Sequence, residues 1–171
     1  FSGRCYAVGY GYIPNSGADT LSIINTEDNL AVITPIPVGT APTGVATAPA
    51  GDYVYVTNKS AGTLSQIDTQ TRLETIHTIG TDPIGVAVSP DGLFVYIAQE
   101  NGDLAVLHTT DNGVTPYHVG TSLFGVAVSP DGNFIYVTDT TADAVVDKVQ
   151  VINKADFNDI TPIELKIGSK P

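Results

Sequence analysis

The octet Gly-Val-Ala-Val-Ser-Pro-Asp-Gly occupies residues 85–92 and recurs without substitution at residues 125–132, 40 positions later. A looser copy, Pro-Thr-Gly-Val-Ala-Thr-Ala-Pro-Ala-Gly, occupies residues 42–51. Each copy leads into a run rich in Val, Ile and Tyr, the residue types that favour β-strands. Self-similarity at a fixed period indicates a repeated structural unit.

Each unit contains four short β-type runs separated by turn residues. In the second unit the third run is 63–68, and the fourth run ends at Gly80. Residues 12–25 align without a gap on residues 55–68, so the N-terminal stretch follows the same plan. Only the first inner run is irregular, because residues 1–5 carry none of the Gly-Val-Ala phrase.

A period of 40 to 45 residues with four strands per unit is typical of a β-propeller. We therefore predict an all-β fold in which residues 1–171 form one domain of about four antiparallel, four-stranded blades. The predicted blades are 1–39, 40–80, 81–120 and 121–168, with 169–171 leading into a further blade. Propellers of this kind usually close with about seven blades. The expectation is a segment of a longer polypeptide, or a half that completes a ring with another copy.

The octet has a physical role in such a fold. Small residues at Gly85 and Gly125 suit innermost strands whose backbones approach closely. The alternate valines point to the other face and pack between blades, and Ser-Pro-Asp-Gly makes a tight reversal, with Asp91 and Asp131 as turn formers. The next strand then supplies large side chains to fill the widening wedge: Phe94, Tyr96, Phe134 and Tyr136.

Residues 55–58 read Tyr-Val-Thr-Asn, and related tetrapeptides occur at 12–15 and 136–139. With the octet, this motif resembles the YVTN-type β-propeller repeats of archaeal and bacterial surface-layer and secreted proteins, over nearly the whole chain. The resemblance implies a non-enzymatic scaffold, secreted, at the cell surface or in the periplasm. Such a scaffold would bind protein or glycan partners, or self-associate through its open blade edges.

The charge balance excludes some partners. Eighteen acidic residues oppose seven basic ones, for a net charge of −11. Such a surface repels nucleic-acid phosphates and anionic lipid, and no apolar run is long enough to insert into a membrane. Cys5 has no second cysteine for an internal disulfide. Asn58-Lys59-Ser60 is a glycosylation sequon, which matters only in an exported chain.

No catalytic motif is present: GxSxG, HExxH, GxGxxG and CxxCH are all missing. His77, His108 and His118 fall on different strands and are predicted to be surface or edge residues. We therefore predict no catalytic residue and no cofactor. One alternative is a segment of a propeller enzyme or redox protein: a lactonase-like hydrolase, or a haem- or quinone-linked dehydrogenase or nitrite-reductase relative. Another is a subunit of an extracellular filament.

Two sets of residues are candidate binding groups. Asp139, Asp143 and Asp147 lie in an expanded turn of the last unit, and three carboxylates suit Ca²⁺. By fold analogy, ligands meet the loops between the second and third strands and the loops that join blades. That analogy selects Asn15, Asn58, Gln99, Glu100, Asp139, Thr40, Thr81, Asp82 and Thr121. The shared asparagine is expected to bond nearby backbone and stabilise its turn.

Overall fold

The computed structural model describes residues 9–28, 30–31, 34–140 and 147–165. Within these residues the regular structure is β-strand alone, arranged in four antiparallel four-stranded sheets. No helix of the described chain is long and apolar enough to cross a bilayer. The all-β prediction and the four-stranded repeat are therefore confirmed.

Each sheet is one blade of the predicted repeat. Blade 1 contains β1 (Tyr10–Asn15), β2 (Thr20–Asn25), β3 (Leu30–Ala31) and β4 (Ile36–Pro37). Blade 2 contains β5 (Pro42–Thr47), β6 (Tyr53–Asn58), β7 (Thr63–Asp68) and β8 (Glu74–Thr78). Blade 3 contains β9 (Pro83–Val88), β10 (Phe94–Gln99), β11 (Asp103–His108) and β12 (Val114–His118). Blade 4 contains β13 (Leu123–Val128), β14 (Phe134–Asp139), β15 (Asp147–Asn153) and β16 (Asp156–Leu165).

Blade 1 differs from the other three blades. Its β3 and β4 both pair with β2, at opposite ends, through Ile24↔Ala31 and Leu21↔Ile36. These two short strands share the position of a single outermost strand. Its β1 carries the motif that β6 carries in blade 2, so β1 corresponds to the second strand of the repeat. The irregular run 1–5, including Cys5, lies outside the described residues.

The inner strands β5, β9 and β13 stand side by side, with very little room between their backbones. A Cβ atom added to Gly44 would lie 2.3 Å from the carbonyl oxygen of Ile84, and one added to Gly85 would lie 2.2 Å from that of Phe124. Real Cβ atoms do not approach oxygen so closely. Glycine is therefore required where one inner strand passes the next, as the octet predicts.

The hydrophobic core is divided into clusters between successive blades. Tyr55 and Leu64 of blade 2 pack against Val95 and Ile97 of blade 3, and all four are almost fully buried. The clusters between blades 1 and 2 and between blades 3 and 4 follow the same plan, although Tyr12 of blade 1 is only partly buried. In each case a face that bears tyrosine meets an aliphatic face on the next blade. Burial of this kind contributes about 1.5–3 kcal/mol for each large side chain.

The reversals after the inner strands have the predicted chemistry. Gly92 and Gly132 have φ of 72° and 73°, in the region that only glycine adopts readily. In the first of these turns, Ser89 Oγ donates to the Asp91 carboxylate, which also accepts the Leu93 amide over 3.0 Å. Asp131 makes the equivalent bonds in blade 4. The two aspartates are turn formers, as predicted.

The prediction that Phe134 and Tyr136 fill a wedge is wrong within the described chain. Tyr96, at the same place in blade 3, is completely buried, whereas Phe134 is 40% and Tyr136 38% exposed. The reason is that blade 4 has no following blade among the described residues. Its tyrosine face is therefore uncovered, and β14 alternates between exposed and buried side chains.

Candidate functional site: the loop end and the cleft between blades 2 and 3

The residues selected by fold analogy do meet at one end of the blades. Asn15, Asn58, Gln99 and Asp139 are the last residues of β1, β6, β10 and β14, so they occupy equivalent places. The joining loops lie beside them: the Thr121 amide bonds Asp139, and the Glu100 amide bonds the Asp82 carbonyl over 3.2 Å. We call this end of the blades, with its joining loops, the loop end.

Most of the strand-end side chains at the loop end are not available to a partner. Asn58, Gln99 and Asp139 are buried, while Asn15 is partly exposed. The side chains open to solvent are the threonines at positions 40, 81 and 121, with Asp82 and Glu100 partly exposed. Any ligand at this end would therefore meet hydroxyl groups, the Asp82 carboxylate, and a Glu100 carboxylate that is paired with Lys59 Nζ over 2.6 Å.

The shared asparagine acts differently from the prediction. Asn58 Nδ2 donates to the hydroxyls of Thr63 and Ser65 over 3.1 and 2.8 Å, rather than bonding backbone. Asn15 makes the same two bonds, to Thr20 and Ser22, at the same distances. The asparagine thus links the second strand to the third by side-chain bonds. The Asn58 Oδ1 atom is buried without a hydrogen-bond partner among the described residues.

Asp139 stabilises the joining loop before blade 4. Its Oδ1 accepts the amides of Thr121 and Ser122 over 2.8 and 3.1 Å, and its Oδ2 accepts Gln150 Nε2 over 2.9 Å. Burial by itself would raise the pKa of this carboxyl, but these hydrogen bonds, with the nearby Lys148 charge, hold the pKa below its usual value. Both carboxylate oxygens therefore have structural partners.

The proposed cation site is not assembled in the described part of the chain. Asp143 and the side chain of Asp147 lie outside the described residues, so only Asp139 of this set is placed. Among the described residues, no group of three or more His, Cys, Asp or Glu side chains is arranged to hold a metal ion.

The three histidines have separate environments. His77 lies on the outermost strand β8, but its side chain is buried and Nε2 donates to Gln66 Oε1 over 2.8 Å. Burial lowers the pKa of His77. His118 is exposed and pairs with Asp103 over 2.8 Å, while the His108 ring meets the Phe94 ring edge-on at 4.9 Å. His77 therefore lies on an edge strand, as predicted, but its side chain is buried rather than on the surface.

A cavity at the opposite end of blades 2 and 3 was not predicted. It has a volume of about 550 Å³ and lies beside the turns that follow the inner strands. Ala48 and Tyr55 form its buried floor, while Pro49, Asp52 and Asp91 form an exposed rim. Burial, then the Asp52 charge and then Tyr53, raise the pKa of Tyr55 to about 12. We call this space the inter-blade cavity.

A signal for this cavity was present in the sequence. Every unit carries two aromatic residues separated by one position, and both side chains point to the same face of the strand. The pairs are Tyr10 and Tyr12, Tyr53 and Tyr55, Phe94 and Tyr96, and Phe134 and Tyr136. What covers each pair depends on the next blade, which the spacing alone does not reveal.

Three solved structures resemble the described fold. Hydrazine synthase from Kuenenia stuttgartiensis matches with a TM-score of 0.85 and 22% identity, over 93% of this chain and 47% of that one. Dihydro-heme d1 dehydrogenase NirN in complex with DHE has a TM-score of 0.71 and 17% identity, over 98% and 37% of the two chains. A putative 6-phosphogluconolactonase from Bacteroides uniformis has a TM-score of 0.67 and 15% identity, over 94% and 54%.

At these identities the likenesses establish the fold alone. The chain has the fold of a β-propeller, and the described blades form part of such a ring. It spans about half the length of the hydrazine synthase chain that it matches. No family model matches the chain, and no curated protein matches it.

Proposed function

We propose that the chain supplies four consecutive blades to a larger β-propeller of the enzyme or redox class. The observation that carries the proposal is the uncovered tyrosine face of blade 4. Tyr55 and Tyr96 are buried under the next blade, whereas Tyr136, at the same place in the repeat, is 38% exposed. Exposed apolar patches of this kind mark interaction surfaces.

The occupant of that face is a further blade of the same repeat type. Gly125, Val126, Ala127, Tyr136 and Val149 line a shallow apolar groove there. In the interface between blades 3 and 4, the face of blade 3 that carries Tyr96 packs against Ile135 and Val137 of blade 4. The three interfaces between described blades therefore define what the uncovered face accepts: a strand with aliphatic side chains at alternate positions.

The enzyme or redox class is supported by the proteins that share the fold. Two of the reported neighbours are named as a hydrazine synthase and a dihydro-heme d1 dehydrogenase, and a third as a putative lactonase. Catalytic groups in propellers gather around the central channel and come from several blades. Four blades would then hold part of a site, and the others would complete it.

The test uses the native protein isolated from its source with an antibody against this chain. The polypeptide mass is measured, together with the absorption spectrum and the hydrolysis of sugar lactones. The proposal expects further blades, in the same polypeptide or a tightly bound one, with a haem or quinone spectrum or lactonase activity. A complex with neither spectrum nor activity would contradict the enzyme or redox assignment.

A surface scaffold is the second candidate function. It is favoured because side chains at the loop end hold the structure together and are not free for chemistry. Asn58 and Asp139 are buried and hold strands and loops together. The YVTN-like repeat and the net charge of −11 agree with an exported surface protein. Fractionation of source cells separates the candidates: a scaffold is expected in the envelope or medium, bound to protein or glycan. Filaments formed through blade edges would favour the third alternative.

A further inference from the structure

The gap between blades 3 and 4 is closed by a lysine of the chain itself. Lys154, just after β15, extends across to blade 3, where its Nζ lies 3.0 Å from Asp91 Oδ2. The same nitrogen lies 4.5 Å from the centroid of the Phe94 ring. An ammonium group held between a carboxylate and an aromatic face gains from both ion pairing and cation–π attraction.

Blade 3 has a threonine where blade 4 has Lys154. The backbone establishes this equivalence: the Lys154 amide donates to the Asn133 carbonyl over 2.9 Å, and the Thr109 amide donates to the Leu93 carbonyl over 3.0 Å. The Thr109 hydroxyl donates to Gly92 of its own blade over 2.9 Å, so it does not extend towards blade 2. The inter-blade cavity lies where a lysine would otherwise extend.

The lining of the cavity matches one of the two groups that hold Lys154, since the aromatic ring has an equivalent but Ala50 stands in the place of Asp91. Tyr53 takes the place of Phe94 in the repeat, and its ring lines the cavity. Asp91 also lines the rim, but its carboxylate is already paired with Lys154. Asp52 is the second carboxylate on the rim, and no lysine or arginine is among the lining residues. The side chains around the opening therefore present negative charge and aromatic surface.

The floor of the cavity holds the hydroxyl-bearing side chain of Tyr55. Tyr55 is 1% exposed and lines the cavity. Because burial and the Asp52 charge both raise the pKa of Tyr55, this hydroxyl stays protonated, and a phenol oxygen can accept a hydrogen bond from a donor in the cavity.

We propose that the inter-blade cavity binds an organic cation, a primary ammonium or guanidinium group on a short alkyl stem. The charged group would lie against the Tyr53 ring beside Asp52, donating to the Tyr55 hydroxyl, and the stem would contact Ala48 and Pro49. The volume of about 550 Å³ is within the range of small-molecule sites. Lys154 shows how the chain itself satisfies the equivalent position. This inference is independent of the enzyme or scaffold assignment.

Two sources can supply such a group: a lysine or arginine side chain of a protein partner, or a free amine. The test is an NMR titration of the chain with n-butylammonium and with a peptide that has an acetylated N-terminus and one unmodified lysine. The titration is run at low salt to limit screening. Butanol and methyl glucoside serve as neutral comparison ligands. We expect the Tyr53 and Tyr55 resonances to shift with the cations alone. A preference for the peptide identifies a protein partner, and equal affinity identifies free amines.

The decisive variant is Thr109→Lys, which places a lysine at the position of Lys154. It is expected to fill the cavity and weaken n-butylammonium binding at least about tenfold. The reverse change, Lys154→Thr, is expected to open a second site, so that two equivalents bind. Tyr53→Leu keeps the apolar bulk without the aromatic face and is expected to weaken binding about threefold or more.

Asp52→Asn is expected to weaken cation binding several-fold, whereas Asp131→Asn, in the corresponding turn region of blade 4, is the charge-matched control with no effect. Circular dichroism verifies that each variant folds. The proposal is overturned if butanol or methyl glucoside binds as tightly as n-butylammonium. Unchanged binding by folded Thr109→Lys, or by folded Tyr53→Leu together with Asp52→Asn, also overturns it.

Discussion

Thr57 of blade 2 donates its hydroxyl to the Ile84 carbonyl of blade 3 over 2.7 Å, and the same hydroxyl accepts the Gly44 amide over 2.8 Å. One buried side chain thus bridges two inner strands of different blades. Thr138 occupies the equivalent position in blade 4 and accepts the Gly125 amide over 2.7 Å. It is exposed, because no further blade lies beside it in the described chain.

Replacing this bridge tests the contact between blades. Thr57→Val keeps the size of the side chain but leaves the Gly44 amide and the Ile84 carbonyl without their partner. We expect the free energy of unfolding to fall by about 1–3 kcal/mol, the cost of burying unsatisfied polar groups. Thr138→Val is the matched control, with an expected loss below about 1 kcal/mol. Equal losses in urea denaturation would contradict the cross-blade role.

The two copies of the octet are expected to differ in their tolerance of alanine. In Gly85→Ala the new Cβ would meet the Phe124 carbonyl oxygen at 2.2 Å, whereas in Gly125→Ala it would lie 3.3 Å from Thr138 Oγ1. Gly85→Ala should therefore cost about 1–3 kcal/mol or more through overpacking. Gly125→Ala should be close to neutral. Thermal unfolding of the two variants provides the comparison, and a reversed order would exclude the observed packing of β9 on β13.

The lowered pKa of Asp139 predicts that the stability of the folded chain decreases in acid. Its pKa is held below the usual value in the folded chain, so its contribution to stability is complete above the unfolded pKa of about 3.9. That contribution is lost as the pH falls from there through the folded pKa. Asp139→Asn should lower stability at pH 7 and flatten the decline between those two pKa values. An unchanged decline in Asp139→Asn would contradict this account.

Substitution of Tyr96 is expected to keep or raise the stability of the fold, unlike the substitutions above. Its hydroxyl is buried without a hydrogen-bond partner among the described residues, and burial, with the Asp91 charge, raises its pKa to about 12. Tyr96→Phe removes that polar group and keeps the ring, so stability should stay within about 1 kcal/mol of wild type or rise. A larger loss, measured by urea denaturation, would indicate that the hydroxyl has a partner.

The predictable part of the fold is the part encoded locally. Turn residues such as Gly92 and alternating apolar runs such as residues 94–99 depend on their near neighbours, so the repeat alone located the strands. The burial of Asn58 and Tyr96 depends on an adjacent strand or blade. The sequence therefore assigned Asn58 and Tyr96 to the correct strands. It did not show that Asn58 bonds side chains, or that Tyr136 lacks the covering blade that Tyr96 has.

The inter-blade cavity illustrates the same limit at the candidate site. It exists because Thr109 bonds its own turn, whereas Lys154 reaches the preceding blade. Either residue is unremarkable in its own unit. Only the packing of one blade on another shows that the exchange leaves Tyr53 and Tyr55 beside an open space.

The central claim is that the octets form neighbouring inner strands of successive blades. A Cβ atom built on Gly85 would lie 3.2 Å from the Cα atom of Gly125, although these glycines are 40 residues apart in the chain. A NOESY spectrum of the chain with labelled glycine measures this contact directly. The account predicts a strong Hα–Hα cross-peak between Gly85 and Gly125. Absence of that cross-peak in the folded protein, with either glycine instead close to an outermost strand, would contradict it.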